Sequence, residues 1–405
     1  MRRSPKVSDA TGTTPVVKVA QGLGKVSAAE WDRCANPGSP NQAGGDETHN
    51  PFVSHAFLSA LEESNSVGGR TGWSPIHLLV EGSDGTLDAA APCYLKSHSM
   101  GEYVFDGGWA DAYERAGGQY YPKLQVSVPF TPVTGPRLLV RDGADDGARD
   151  VLLGGLRALR DQIGASSTHL TFLTEGESED LAGRDLLVRT DKQFHWVDDG
   201  FGDFEGFLAA LASRKRKAIR RERRDALLNG ITIHRLTGRD ITEADWDAFF
   251  AFYIDTGSRK WGRPYLNRRF FSLIGERMAD RILLVIAKRD GRPIAGAINL
   301  IGDVALYGRN WGCIEDHPFL HFEVCYYQAI DFALERGLKR VEAGAQGEHK
   351  LARGYRPVTT YSAHDIADPG LRRAVADYLT RERAYVAAAQ EEYAEAMPFR
   401  KGEVE

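Results

Sequence analysis

The sequence predicts a mixed α/β fold of the α+β kind, in which central sheets are flanked by helices. Short runs of alternating apolar residues recur along the chain, separated by longer segments of helical periodicity. With 405 residues, 42% of them hydrophobic and 26% charged, the chain has room for two or three domains. The composition also changes sharply after Trp196, which indicates a division of the chain into two halves.

The first domain is assigned to residues 16–200, because residues 1–15 have the polar composition of a disordered segment. Its strands are identified by period-two alternation, and its second helix follows a proline. The strands are predicted at residues 16–20, 76–80, 89–96, 103–105, 124–128, 138–140 and 169–173, and the helices at residues 28–35, 55–64 and 148–163.

A basic helical linker at residues 201–230 precedes the second domain, residues 231–405. The last helix of this domain starts at Asp368-Pro369, where aspartate suits the N-cap and proline the first helical position. Strands are predicted at residues 231–235, 282–288, 294–301, 305–311, 341–345 and 359–364, and helices at residues 243–255, 266–278, 319–336 and 369–397.

Cysteine spacing and charge exclude several classes of protein. The cysteines Cys34, Cys93, Cys313 and Cys325 lie far apart with no Cys-x-x-Cys motif, so we expect no disulfide framework and no metal site. No segment approaches the roughly 20 apolar residues of a spanning helix. The net charge of -5 argues against bulk binding of nucleic acid. These features predict a cytoplasmic protein and leave peripheral contact with the inner membrane open.

The linker contains a cationic segment, residues 213–224, in which eight of twelve residues are Lys or Arg. On a helix, Arg216 and Arg220 fall on one stripe, while Ile219 and Ala226 can pack inward. Three interpretations stay open: a solvated helix face, contact with the phosphates of CoA or tRNA, and contact with anionic lipid.

The strongest candidate site is the segment Gly344-Ala-Gln-Gly-Glu-His-Lys350, which directly follows a predicted buried strand. His349 or Glu348 could accept a proton from an amine, and Lys350 or Arg353 could hold a phosphate or carboxylate. In the strand itself, Glu342, Gly344 and Gln346 share one face.

A second candidate is the carboxylate of Glu323 on the helix at residues 319–336. Its helical neighbours are apolar, and burial without a cation would raise its pKa, as a general base requires. The alternative is an ion pair with Arg or Lys. His321 is a further catalytic candidate, but it projects roughly opposite to Glu323, so the two can act together only if the helix begins between them.

The first half contains a dense polar and aromatic cluster. Each member alone is more consistent with packing, but together they could form a pocket wall. The members proposed to contact a substrate are His98, Asp106, Tyr120 and Tyr121.

The order strand, two helices, three antiparallel strands, helix, strand resembles the GNAT acyltransferase fold, and two such units resemble the Fem family of peptidoglycan aminoacyltransferases. The chain is most similar to the Fem-like predicted N-acyltransferases of proteobacteria, to which bacterial ceramide synthases are related. The resemblance covers roughly residues 50–390 and is carried by motifs including Asn50-Pro-Phe-Val-Ser-His55, Tyr120-Tyr-Pro-Lys-Leu124, Leu320-His-Phe-Glu323 and the segment after Gly344.

This resemblance implies an acyl donor bound where the central strands splay, near Tyr307 and Arg309, and no metal. The usual glycine-rich pyrophosphate loop is missing: the chain reads Trp311-Gly-Cys-Ile-Glu-Asp-His-Pro-Phe-Leu320, and Glu315 and Asp316 would repel phosphate. Donor binding at the other half, or between the halves, therefore stays open.

Three functions are compatible with this pattern. The first is transfer of an acyl group from acyl-CoA, the co-substrate, to a primary amine such as a sphingoid base, as in ceramide synthesis. The second is a Fem-type transfer from aminoacyl-tRNA to a peptidoglycan precursor. The third is a non-catalytic binding protein on a GNAT frame.

Overall fold

The fold is described from a computed structural model of the chain, which covers residues 16–38, 49–144, 147–260, 264–344 and 347–400. The N-terminal segment predicted to be disordered lies outside these residues. So do Gln346 and the side chain of Glu348.

The first half of the chain alternates short strands with helices. Its strands are β1 (Val16–Ala20), β2 (Trp73–Pro75), β3 (His77–Glu81), β4 (Leu87–Ala91), β5 (Cys93–Lys96), β6 (Lys123–Val126), β7 (Leu139–Val140), β8 (Ser167–Leu173) and β9 (Leu187–Val197). Its helices are α1 (Ala28–Ala35), α2 (His55–Glu63), α3 (Gly107–Arg115), α4 (Ala148–Ile163) and α5 (Glu175–Gly183).

The second half begins after two linking helices, α6 (Phe204–Ala210) and α7 (Ser213–Ala226). The strands are β10 (Ile231–Thr237), β11 (Ile282–Arg289), β12 (Arg292–Ile301), β13 (Ala305–Cys313), β14 (Arg340–Glu342) and β15 (Arg356–Ile366). The helices are α8 (Glu243–Lys260), α9 (Arg268–Met278), α10 (Leu320–Phe322), α11 (Gln328–Arg336) and α12 (Pro369–Glu395). A π-helical turn, Glu323–Tyr327, joins α10 to α11, and a 3₁₀ helix, Glu348–Arg353, follows β14.

Two sheets form within the described part of the chain. Strands β1, β3, β4 and β7 make the smaller sheet. The larger sheet has the order β10-β11-β12-β13-β14-β9-β15-β8-β6-β5-β2, so it runs without a break through both halves. The mixed, helix-flanked architecture agrees with the predicted fold class.

The two halves exchange strands within the larger sheet. Strand β15 belongs to the second half of the chain, yet it pairs antiparallel with β8 on one side and β9 on the other. Strand β9 in turn pairs with β14. The division of the chain at residues 201–230 therefore remains a proposal about sequence units, because the strand order crosses it.

Several helices begin at capping residues that can be recognised in the sequence. Helix α2 is capped by Ser54, whose side chain accepts a hydrogen bond from the backbone N–H of Phe57. Helix α12 begins at Pro369 after Asp368, whose carboxylate accepts from the N–H of Leu371, as predicted. The linking helix α7 buries Ile219 and Ala226 on its inner side, also as predicted.

Some local predictions were wrong. Residues 103–105 form no strand, because Tyr103 adopts a left-handed backbone conformation with a φ of 59° that interrupts an extended run. Helices α3 and α5 and strand β9 were not predicted. Helix α3 opens with two glycines, which disfavour a helix in isolation.

Candidate functional site

The central parallel strands of the second half diverge after a short ladder. Among the described residues, β13 and β14 pair from Ala305 opposite Arg340 to Tyr307 opposite Glu342, and β13 then continues to Cys313 paired with β12 but not with β14. Gly308 sits where they separate, and a Cβ there would lie 3.3 Å from the carbonyl oxygen of Glu342. The absence of a side chain therefore lets the two strands approach closely before they part.

A β-bulge marks the same point on the other edge of β13. The register with β12 shifts between Ala297, which faces Trp311, and Asn299, which faces Gly308. A bulge interrupts the hydrogen-bond ladder and frees backbone polar groups. This is the kind of opening in which a reacting carbonyl can meet backbone donors.

The divergence encloses a cavity of about 80 Å³, which we call the cleft. Strands β12 and β13, the chain after β14 and the π-helical turn form its walls. The lining residues are Ala297, Ile298, Asn299, Gly308, Arg309, Asn310, Trp311, His321, Cys325, Tyr326 and Ala343. Because ligand pockets usually measure roughly 300–1,000 Å³, the cleft suits the reacting end of a substrate and not a whole carrier.

Aromatic side chains from β13, α10 and the π-helical turn lie along the cleft. The rings of His321 and Trp311 meet edge to face with centroids 5.2 Å apart, and Tyr326 lies 5.4 Å from His321. Burial raises the pKa of Tyr326, so its hydroxyl stays protonated at neutral pH. Single π turns within α-helices are frequent at functional sites.

His349 is exposed and is hydrogen-bonded to Tyr326, which lines the cleft. Its Nε2 is 2.8 Å from the hydroxyl of Tyr326, and its ring centroid is 6.3 Å from that of His321. Desolvation lowers the pKa of His349, and the neighbouring charges of Arg353 and Lys350 lower it further. The imidazole is therefore neutral near pH 7 and able to accept a proton.

Lys350 is buried, with 1% of its surface exposed, and its Nζ donates to the carbonyl of Gly344 at 2.8 Å. Burial lowers the pKa of Lys350 to about 7. The lysine thus fixes the chain that leaves β14, on one wall of the cleft. The predicted role of binding a phosphate or carboxylate remains a prediction.

Arg353 anchors the 3₁₀ helix that carries His349. It donates to the carbonyl of His349 at 2.8 Å and to Glu222 of helix α7 at 2.9 Å, and its guanidinium lies 3.4 Å from the ring centroid of Phe322. Glu222 also accepts a hydrogen bond from Tyr327. Helix α7 is therefore connected, through Arg353, to the segment that carries His349.

The condition under which Glu323 was expected to act as a base is not met. Its carboxylate is 1% exposed and accepts two hydrogen bonds from Arg223, of 3.1 and 3.0 Å, and one from Gln328 of 2.7 Å. Arg223 also binds Asp331 at 2.6 Å. The structure thus supports the alternative of an ion pair between helices α7 and α10–α11, while His321 points to the other side.

Three further predicted residues lie on the sheet itself. Tyr307 is 1% exposed and packs edge-on against Phe52, so it belongs to the core. Arg309 lines the cleft and donates to the carbonyl of Phe130 in the first half. Glu342 is buried, accepts from Arg340 at 2.8 Å and lies 3.7 Å from His195.

The chain between β13 and α10 is where the resemblance implies pyrophosphate. The charge of Glu315 is compensated, because Arg289 and His317 contact its carboxylate at 2.8 and 3.0 Å. These hydrogen bonds, with that from Arg289 the strongest, lower the pKa of Glu315 to about 2. Asp316 is exposed. The expected repulsion of phosphate thus rests mainly on Asp316.

The cationic face of helix α7 is largely exposed. Arg220 pairs with the exposed Glu205, and Arg216 is half-buried. A binding role for this stripe stays a prediction.

The cluster of the first half is a buried network built on Lys123. The Nζ of Lys123 donates to Ser99, Glu102 and Asp106, and the hydroxyl of Tyr120 donates to Asp106 at 2.7 Å. Tyr121 contacts Ser99 at 2.8 Å. His98 is packed against Gly72 and bonded to the carbonyl of Thr71. None of the four predicted residues of this cluster is among those that line the cleft.

The network continues into the second half through two histidines. The Nδ1 atoms of His169 on β8 and His364 on β15 are 2.7 Å apart, so one ring donates and the other accepts. Burial lowers the pKa of both rings, that of His169 to about 3. The pair therefore links the exchanged strands as neutral imidazoles.

Three residues of the candidate site were not predicted from the sequence: Tyr326 and Trp311, which line the cleft, and Glu222, which binds Arg353. The aromatic run around Tyr326 resembled core packing, and nothing local connects Glu222 to a segment 131 positions away. Within the described residues, no group of three or more His, Cys, Asp or Glu is arranged to hold a metal ion, and no helix there has the length and apolarity to cross a membrane.

Residues 22–401 match the model of the family FemAB_like, described as peptidoglycan biosynthesis/recognition. No curated protein matches the sequence.

Several solved structures are similar to this chain. FemX has a TM-score of 0.51 at 12% identity, covering 87% of this chain and 98% of FemX. A tandem GNAT protein from the clavulanic acid biosynthesis pathway has a TM-score of 0.44 at 11% identity, covering 88% and 99% of the two chains. L-PGS from Bacillus licheniformis has a TM-score of 0.48 at 12% identity, covering 84% and 99%. The similarity to FemX confirms the predicted mixed α/β fold of the Fem kind.

Proposed function

Because this chain belongs to the FemAB_like family, we propose that it is an N-acyltransferase, which moves an acyl group from a thioester carrier to a primary amine. The observation that supports this most is the neutral imidazole of His349, which is hydrogen-bonded to Tyr326 on the wall of the cleft. An amine must lose a proton to form an amide, and a base whose pKa lies near or below neutrality can take it.

The residues around the cleft suit each step of the transfer. The amine nitrogen attacks the carbonyl carbon of the thioester, and His349 accepts the proton that the nitrogen releases. Backbone groups at the bulge of β13 stabilise the oxyanion. As the C–S bond breaks, the hydroxyl of Tyr326 protonates the thiolate and regains a proton from His349, to which it is hydrogen-bonded. A C–N bond replaces the C–S bond, and free thiol leaves.

The donor we propose is acyl-CoA, and the acceptor is an amine of lipid character such as a sphingoid base. The proposal of a lipid amine follows the resemblance to bacterial ceramide synthases. We further propose that the protein is cytoplasmic and contacts the inner membrane peripherally, with the cationic face of α7 toward anionic lipid.

The test uses the purified full-length chain with acyl-CoA and candidate amines, and follows the release of free thiol. We expect thiol release that depends on the amine, reduced by about 10²-fold in His349→Ala, the usual scale for loss of a proton-transfer group. Amine-independent hydrolysis, or full activity of folded His349→Ala, would contradict this mechanism.

A second candidate is a Fem-type transfer from aminoacyl-tRNA to a peptidoglycan precursor. It is favoured by the exposed cations of α7, including Arg214, Lys215 and Lys217, on a helix that contacts the site through Glu222 and Arg223. Retention of charged tRNA on a filter by the protein, together with no thiol release from acyl-CoA, would favour this candidate.

A further inference from the structure

A second cavity adjoins the cleft and lies beyond the end of β13. It measures about 270 Å³ and is bounded by the end of α8, the loop after β13 and the start of α10. Trp311 and His321 line both this cavity and the cleft. The two spaces are therefore separated by these two rings, whose centroids are 5.2 Å apart.

The charges around the second cavity pair off and leave one carboxylate. Arg259 contacts Asp255 and donates to the carbonyl of Cys313 at 3.0 Å. Glu315 is bound by Arg289 and His317, with a weaker effect from Arg292. Asp316 is the remaining carboxylate on the wall, and it is exposed to the cavity opening.

This combination favours a cation over a phosphate. A carboxylate attracts an ammonium group, and the face of an indole ring does so as well. A phosphate placed here would face Asp316, while the nearby arginines already have acidic partners. The loop that the resemblance assigns to pyrophosphate thus has the wrong charge for that ligand and a suitable charge for an amine.

We propose that this second cavity binds the acceptor amine in its ammonium form, held by Asp316 and Trp311. The nitrogen gives up one proton to solvent at the exposed opening beside Asp316 and passes His321 into the cleft as the neutral amine that attacks the thioester. The inference rests on the proposed function and assigns to it a separate acceptor site. The cavity, of about 270 Å³, is slightly smaller than a typical ligand pocket of roughly 300–1,000 Å³. It therefore accepts the head of an amine, and any long chain must extend into solvent or a membrane.

The binding step can be tested without the reaction. Butylamine serves as the probe and 1-butanol as its neutral isostere, with binding to the full chain followed by saturation-transfer NMR. We expect butylamine to bind and butanol to bind more weakly. Asp316→Asn should weaken butylamine binding by about fivefold, the upper range for an exposed ion pair. Asp377→Asn, at an exposed position on α12, is the matched control and should bind as the unmodified chain does.

Two results would overturn the site. One is equal affinity of Asp316→Asn and Asp377→Asn for butylamine. The other is displacement of butylamine by ADP together with tighter ADP binding to Asp316→Asn, which would mean that the cavity holds the phosphates of a donor. Trp311→Leu provides an independent check, with an expected loss of about threefold from the cation–π contact.

The failure of this site and the failure of the proposed function give different results. A chain that binds butylamine as described but releases no thiol from acyl-CoA keeps the acceptor site and loses the reaction. A chain that acylates amines with the same KM for the amine in Asp316→Asn keeps the reaction and loses the site.

Discussion

The ion pair between Arg223 and Glu323 allows a quantitative test of whether Glu323 is structural. Glu323 is 1% exposed, whereas the side chain of Arg223 is 24% exposed. Replacing Arg223 with methionine leaves a buried carboxylate with Gln328 as its remaining bonded side chain. Breaking a buried pair costs about 3–5 kcal/mol, and we expect about 3 kcal/mol at pH 7, because solvent reaches the arginine.

Two further variants separate the contribution of the ion pair to stability from the contributions of its two residues. Glu323→Gln keeps the shape and most hydrogen bonds and leaves Arg223 bound to Asp331, so its cost should be about 1 kcal/mol. The double variant should be less destabilised than Arg223→Met alone, because the uncompensated charge is gone. The resulting coupling energy is about 2 kcal/mol. Urea denaturation at pH 7 measures all four free energies of unfolding, with unchanged m-values as the control.

Two outcomes would refute this reasoning. The first is a cost below about 1 kcal/mol for Arg223→Met, which would place the pair among ordinary surface contacts. The second is a Glu323→Gln protein of nearly native stability that loses turnover by about 10²-fold, since that behaviour belongs to a general base.

Further predictions concern the cleft and the pH dependence of stability. Tyr326→Phe should slow thiol release by about tenfold or more and leave the KM for the amine unchanged; equal rates would remove Tyr326 as the proton donor. The folded pKa of Lys350, about 7, lies below its unfolded value, so the folded chain binds fewer protons and stability should rise with pH from about 7 toward about 10. In Lys350→Met that part of the slope, at most about 1.4 kcal/mol per pH unit, should vanish in urea titrations. His169 is neutral in the folded chain, with a pKa of about 3, so the free energy of unfolding should fall as the pH drops from about 6.5. His169→Gln should weaken that fall. An unchanged pH profile of stability in this variant would contradict the assignment.

Local patterns predicted most of the regular structure. Helices α1 and α4 and strand β1 have the predicted limits, because each carries a clear apolar period or starting residue. Strand β9 was missed although it pairs on both sides. Residues 189–193 of this strand are all charged or polar and show no apolar alternation. Its place in the sheet is fixed by β14 and β15, which lie more than 140 positions away.

The candidate site was predictable in its location and less so in its contacts. The segment of His349 and Lys350 does follow a buried strand beside a cleft, as its sequence indicates. The hydrogen-bond partners of the site residues could not be predicted, because Arg223 is 100 positions from Glu323 and Glu222 is 131 positions from Arg353. A helical wheel gives the face of Glu323, but only the packing of α7 determines whether a cation meets it.

The position of β15 in the larger sheet also determines when that sheet can form during synthesis of the chain. Strands β8 and β9 leave the ribosome with no partner between them, since the strand that fills the gap runs from Arg356 to Ile366. The larger sheet therefore closes only after β15 has been synthesised, and until then the nascent chain carries two open strand edges that other chains, or chaperones, can reach.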